Sequence, residues 1–199
     1  NKVFSNKRIE GMRDDIQAIA DQLISEWIDD GEVDLLNRLC VPLPIYVIAD
    51  QLGVPRSELT LLKKWSDAST SRLGRLADEE QQIQNAKDIV EFQHYFADLI
   101  DRMREHPEDN IISDLANNTI DEGRLLTKPE ALGMIQQILV AGNETSTNAI
   151  AGGVVLLIEN AEEQAKLRAN PDLIPTAVEE ILRLETPTSG MWRRATQDT

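Results

Sequence analysis

Residues 131–158 form an apolar stretch that is interrupted by a polar patch at its centre. The flanks, 138–141 and 154–158, are apolar on nearly every helical face, which predicts a buried helix rather than an amphipathic one. The patch, 142–148, reads Gly-Asn-Glu-Thr-Ser-Thr-Asn. Burying an unpartnered polar group costs roughly 2–7 kcal/mol. The pattern therefore predicts that these side chains have partners, contact water or carry out a function.

The start of this helix is marked by a capping box. Thr127 is the predicted cap, Glu130 is placed to reach back to it, and Pro129 fits the first turn. A helix from there to Asn160 would be about 45–50 Å long at 1.5 Å per residue. A membrane span is disfavoured, because Gln136 and the polar patch leave no run of about 20 apolar residues.

The polar patch allows two other local structures. In one, Gly142 ends a first helix, and Asn143 or Ser146 caps a second. In the other, the helix continues but is loosened at Gly142 by hydroxyl groups that bond back to carbonyls. That loosening would open a groove lined by Glu144 and Thr145, in which an acid beside an alcohol could relay protons.

Residues 141–146, Ala-Gly-Asn-Glu-Thr-Ser, resemble the oxygen-binding motif of the cytochrome P-450 family, Ala/Gly-Gly-x-Asp/Glu-Thr-Thr/Ser. In that family the motif lies midway along a helix that crosses the distal face of a haem. The resemblance implies that Ala141 and Gly142 line an oxygen-binding groove, and that Glu144 and Thr145 deliver protons. It also implies a mainly α, partial cytochrome P-450 fold with a long distal helix at about 128–160 and a small β contribution near the C-terminal end.

A second motif follows in 175–184, which predicts a helix with Pro175 in its first turn. Glu180 and Arg183 are one turn apart and resemble the Glu-x-x-Arg ion pair of the family. From the residues alone they would form an ordinary surface salt bridge, and Glu179 could also reach Arg183.

The segment 185–196 resembles the strand that follows this helix in the family. Its Arg193 precedes Ala-Thr, where the family has an arginine that contacts a haem propionate. A guanidinium suits that contact because it is always charged and binds carboxylates bidentately. The resemblance places these residues in the substrate pocket: Val140, Ala141, Thr188, Ser189 and Met191.

Apolar periodicity predicts further helices at 4–31, 42–53, 57–73, 78–105 and 110–116. The segment 42–55 resembles the Pro-x-x-Val-Ile…Leu-Gly-Val-Pro segment of bacterial members of the family. We see neither strand periodicity nor repeats, so 1–199 is expected to be a single helical unit, the central portion of a larger cytochrome P-450 domain.

The resemblance implies that the parent protein is a haem monooxygenase that hydroxylates or epoxidises a small apolar substrate. Electrons would come from NAD(P)H through a ferredoxin reductase and a ferredoxin. The family's Phe-x-x-Gly-x-x-x-Cys-x-Gly loop, whose thiolate ligates the iron, lies outside this chain, so the fragment alone is expected to be inactive. Two alternatives stay open, which are a non-catalytic helical interaction module and an inactive gene fragment.

Other residues offer little for metal binding. Cys40 has no glycine-rich surroundings and is expected to be a buried, inert thiol. His94 and His106 lack metal-ligand spacing and are expected to be surface or packing residues.

The net charge of −15 disfavours nucleic acid and anionic membranes as partners, because both would repel the chain. A cytoplasmic location follows from the resemblance to bacterial members of the family.

Overall fold

The chain folds into α-helices joined by short turns, and the predicted mainly α fold class is confirmed. The computed structural model describes residues 6–74, 77–120, 123–188, 190 and 196. The helices of this described part are α1 (Asn6–Gly11), α2 (Arg13–Ser25), α3 (Pro42–Leu52), α4 (Leu59–Gly74), α5 (Glu79–Glu105), α6 (Ile111–Asn117), α7 (Lys128–Glu159), α8 (Ala161–Ala169) and α9 (Ile174–Glu185). Among the described residues, no helix is both long enough and apolar enough to cross a membrane.

Two compact units divide the chain, residues 1–143 and residues 144–199. The first unit contains α1–α6 and the first half of α7, and the second contains the rest of α7 with α8 and α9. The boundary therefore falls inside a continuous helix. The expectation of a single helical unit within a larger domain stays a prediction.

The core of the first unit is built on an aromatic cluster between α4 and α5. Trp65 of α4 packs edge-on against Phe92 and Phe96 of α5, with ring centroids 5.9 Å from each. This geometry is favoured by the charge distribution of aromatic rings. Ala131, Ile135 and Leu139, spaced four residues apart on α7, are fully buried in the same core. The face of α7 that carries these three residues therefore packs in the core of the first unit.

The predicted capping box at the start of α7 is confirmed. The Thr127 amide donates to Glu130 Oε2 at 2.8 Å, and the Glu130 amide donates to Thr127 Oγ1 at 3.4 Å. These bonds satisfy amide groups that a helix N-terminus otherwise leaves unpaired. The predicted end of α3 is also confirmed, because Gly53 closes it in the left-handed conformation at φ 68°.

In the second unit, α9 approaches α7 closely where α7 has two consecutive glycines. A Cβ atom built on Gly153 would lie 3.0 Å from Ile181 Cγ2, and one built on Gly152 would lie 2.8 Å from Glu185 Cγ. The absence of both side chains therefore permits this contact between the two helices.

Three local features differ from the sequence predictions. Within the described residues, the predicted helix at 4–31 is replaced by two helices, α1 and α2, which are separated by a turn at Met12 after Gly11, a weak helix former. Helix α2 ends at Ser25, so the predicted end at Gly31 is wrong. Residues Leu36–Cys40 form an unpredicted π-helical turn. Helix α8 was also not predicted, because its residues are mostly polar and none of them is buried.

Candidate functional site

The polar patch lies on a helix that is continuous through residues 141–148. The predicted long helix is therefore confirmed, and the alternative of a break at Gly142, with a second helix capped by Asn143 or Ser146, is wrong. Burial of Ile135 and Leu139 before the patch compensates for its weaker helix formers, which is a tertiary effect that local propensity does not include. After the patch, Val155 and Ile158 are exposed, so the predicted burial of the flank 154–158 is wrong. The boundary between the units follows Asn143, so we describe the two halves of the patch separately.

In the first half, Gly142 faces a neighbouring helix. A Cβ atom on Gly142 would lie 3.1 Å from Cδ1 of Ile48 in α3, which is closer than most such contacts. Ala141 is exposed, and Val140 is half-buried. The structure thus gives Gly142 a packing role against α3, while the predicted oxygen-binding groove at Ala141 and Gly142 stays a prediction.

Asn143 has the most specific contact of the patch. Its side chain is 1% exposed, and its amide nitrogen donates to Oγ of the fully buried Ser66 in α4 at 3.0 Å. Within the described part of the chain, Asn143 Oδ1 has no hydrogen-bond partner. The sequence predicts no more for Asn143 than a possible helix cap, because its partner is 77 residues away and no local pattern indicates it.

In the second half, Glu144 is exposed and Thr145 is half-buried. Thr147 is buried, and Asn148 donates from Nδ2 to the carbonyl oxygen of Pro187 at 3.5 Å. This bond places Pro187, which precedes the exposed Thr188, beside α7. The proton relay through Glu144 and Thr145 stays a prediction.

Glu180 and Arg183 form a bidentate ion pair on α9. Arg183 donates from Nε at 2.7 Å and from Nη2 at 2.6 Å to the two carboxylate oxygens of Glu180. The hydrogen bonds from Arg183 lower the pKa of Glu180, and those bonds raise the pKa of Arg183 in turn. The structure selects Glu180 rather than Glu179 as the partner. Whether this pair has the structural role of the family's Glu-x-x-Arg motif stays a prediction.

Three predicted site residues, Ser189, Met191 and Arg193, lie outside the described residues. The predicted β contribution falls mostly on the same segment. Their assignments to the substrate pocket and to a haem propionate remain predictions.

The other candidate ligands have the surroundings that the sequence predicts. Cys40, the only cysteine of the chain, is fully buried, and this burial raises the pKa of its thiol. His94 and His106 are exposed. Among the described residues, no group of three or more histidine, cysteine or acidic side chains could hold a metal ion.

Solved structures show the class of fold. The crystal structure of P450BioI in complex with hexadec-9Z-enoic acid ligated acyl carrier protein matches this chain with a TM-score of 0.86 and 31% identity. The match covers 94% of this chain and 47% of that one. The structure of CYP109E1 from Bacillus megaterium in complex with testosterone matches with a TM-score of 0.81 and 34% identity, covering 92% of this chain and 48% of that one. The fold is therefore a partial cytochrome P450 fold, as predicted.

Sequence relatives agree with the fold, although no family model matches the chain. The cytochrome P450 monooxygenase PikC of Streptomyces venezuelae is 37% identical over 186 residues, which are 92% of this chain and 43% of that protein. The steroid C26-monooxygenase of Mycolicibacterium smegmatis is 34% identical over 200 residues, which are 100% of this chain and 49% of that protein. This chain is a homologue of bacterial cytochromes P450, and it spans about half the length of the curated relatives it matches.

The family implies a haem. In the first unit, helix α7 leaves Ala141 exposed. Ala141 is small, so a flat group could approach the backbone there. No thiolate is offered to an iron atom by this chain, because its single cysteine is buried with a raised pKa.

Proposed function

We propose that the full-length protein is a haem-dependent monooxygenase, and that α7 supplies the oxygen-binding side of its active site. One observation carries this proposal. The motif Ala-Gly-Asn-Glu-Thr-Ser lies in the middle of a continuous helix, with its alanine and glutamate exposed and its asparagine buried. A sequence of this kind on a solvent-exposed loop would support no such function.

When bound, the haem would supply reductive activation of dioxygen, which inserts one oxygen atom into the substrate and releases the other as water. The chain's own residues would supply protons for that release. Glu144 is exposed to solvent, and the Oγ1 hydroxyl of the adjacent Thr145 would donate the proton. Ala141 would leave space beside them.

The substrate proposed for this site is a small apolar molecule, hydroxylated or epoxidised against a pocket formed by Val140, Ala141, Thr188, Ser189 and Met191. Such pockets are shaped mainly by apolar contacts, with few polar groups. The CYP109E1 structure contains testosterone, and the P450BioI complex contains hexadec-9Z-enoic acid ligated to an acyl carrier protein; both present apolar groups, which is consistent with this class. We propose that Arg193 contacts a haem propionate.

The proposed electron supply is NAD(P)H, through a ferredoxin reductase and a ferredoxin. The net charge of −15 argues against nucleic acid and anionic membranes as partners. A cytoplasmic location belongs to the same proposal.

The decisive experiment replaces Thr145 with alanine in the full-length holoenzyme and measures product formed per NAD(P)H consumed. We expect this ratio to fall by about tenfold, because a positioned proton donor contributes about 10²–10⁴ in rate and water can replace it only in part. Thr145→Ser keeps the hydroxyl and should retain most of the coupling. Ser146→Ala, which removes the adjacent hydroxyl, is the matched control. Equal coupling in Thr145→Ala and wild type would contradict the proposed role.

A further inference from the structure

We infer that Asn143 is a positioning residue, whose buried hydrogen bond to Ser66 fixes the rotation of α7 at the motif. This inference rests on the proposed function, because it assigns a task to a residue of the same motif. The residue lies between Gly142 and Glu144, so any rotation at Asn143 changes the direction of both neighbours.

The first support is the contact itself. Asn143 is 1% exposed and Ser66 is 0% exposed, and Asn143 Nδ2 lies 3.0 Å from Ser66 Oγ. Both residues belong to the first unit. A hydrogen bond between two buried side chains on different helices favours one relative orientation, because breaking it leaves buried polar atoms unpaired.

A second hydrogen bond repeats the pattern two turns earlier along α7. Gln136 Nε2 donates to Ser69 Oγ at 3.1 Å, and Ser69 Oγ donates to the carbonyl oxygen of Trp65 at 2.8 Å. Positions 136 and 143 are seven residues apart, so they share a face of α7, and positions 66 and 69 share a face of α4. Rotating or sliding α7 against α4 by one residue would break both contacts.

The third support is that this polar pair stabilises the fold less than an apolar pair in the same space would. Asn143 Oδ1 has no hydrogen-bond partner among the described residues, so burying this side chain leaves one polar atom uncompensated. Two apolar side chains of similar size would fill the same space without that penalty. A polar pair at such a position is better explained by the single helix orientation that it specifies.

The same turn of α7 is held from another direction by Gly142. Its Cα packs so closely on α3 that an added Cβ would lie 3.1 Å from Ile48 Cδ1. Asn143 thus fixes this turn against α4 while Gly142 fixes it against α3, and Ala141 is left exposed. The two contacts together determine which side of α7 is open.

The test uses Asn143→Leu, Ser66→Ala and the double variant in the full-length holoenzyme. Each should retain the haem content of wild type. Asn143→Leu and the double variant should also retain the thermal unfolding midpoint, whereas Ser66→Ala should lower it, because it leaves the buried Asn143 amide without its partner. Product formed per NAD(P)H should fall by about threefold or more in each, because small displacements of reacting groups are costly. The double variant should be no worse than either single variant, as expected when both changes remove one interaction. Glu159→Gln, an exposed position at the end of the same helix, is the control and should change neither the coupling nor the unfolding midpoint.

A second readout is independent of turnover. Amide hydrogen exchange of peptides covering residues 140–146 should be faster in Asn143→Leu and in Ser66→Ala than in wild type and in Glu159→Gln. Wild-type exchange in both variants, or effects on coupling that add in the double variant, would overturn the inference. If Thr145→Ala leaves coupling unchanged while these peptides exchange faster, the proposed proton relay fails and the positioning role of Asn143 stands.

Discussion

Arg124 donates hydrogen bonds from Nη1 and Nη2 to the two carboxylate oxygens of Glu130, each at 2.8 Å. Arg124 precedes α7, and Glu130 lies in its first turn. The same carboxylate accepts hydrogen bonds from the Thr127 amide and hydroxyl. Glu130 is therefore the acceptor for three donor groups from two residues that precede the helix. The capping box predicted from sequence is thus reinforced by an arginine that the sequence motif does not include.

This arrangement predicts a pH dependence of stability. The hydrogen bonds from Arg124, followed by those from Thr127, hold the pKa of Glu130 far below its usual value of 4.5. Because the pKa is lowered in the folded state, the stabilisation is complete above the unfolded-state pKa. It is lost as the pH falls from that value through the folded-state pKa. We expect Glu130→Gln to lower the unfolding midpoint at pH 7, with a smaller difference from wild type at pH 3.

The measurement is thermal unfolding of the full-length protein across that pH range. Glu105→Gln, an exposed glutamate at the end of α5, is the control and should show no comparable convergence. A constant difference between Glu130→Gln and wild type from pH 7 to pH 3 would contradict the assigned cause.

Two glycines of α7 should respond in opposite directions to alanine. Around Gly133 an added Cβ would meet no atom within 4 Å, so Gly133→Ala should stabilise the protein by about 1 kcal/mol through helix propensity. At Gly153 the Cβ would lie 3.0 Å from Ile181 Cγ2, and overpacking of this kind costs about 1–3 kcal/mol. Chemical denaturation of both variants tests the contrast, and equal stabilisation of the two would argue against close packing of α9 on α7.

Cys40 should resist thiol reagents in the native protein. Its side chain is fully buried, and burial raises the pKa of the thiol, so both access and the thiolate fraction are low. Peptide mass spectrometry after alkylation at pH 8 should find Cys40 unmodified in native buffer and fully modified in denaturant. Rapid native labelling would contradict the predicted inert role.

The elements that sequence predicted well are those whose signals are local. The capping box at Thr127 gave the start of α7, and Gly53 gave the end of α3. Helix α8 lacked an apolar face and was missed, although its first turn is acidic and its last turn basic. The bond between Ser66 and Asn143 depends on the packing of two helices, which no local pattern specifies.

The position of the unit boundary within α7 has a consequence for protein engineering. Residues 1–143 and 144–199 meet in the middle of one helix, so a chimera with a crossover at 143 would join half-helices from two parents inside the motif. Crossovers at Leu126 or Asn160, which lie outside α7, would instead transfer the helix intact. Recombination libraries of this family should therefore treat residues 128–159 as a single inherited block.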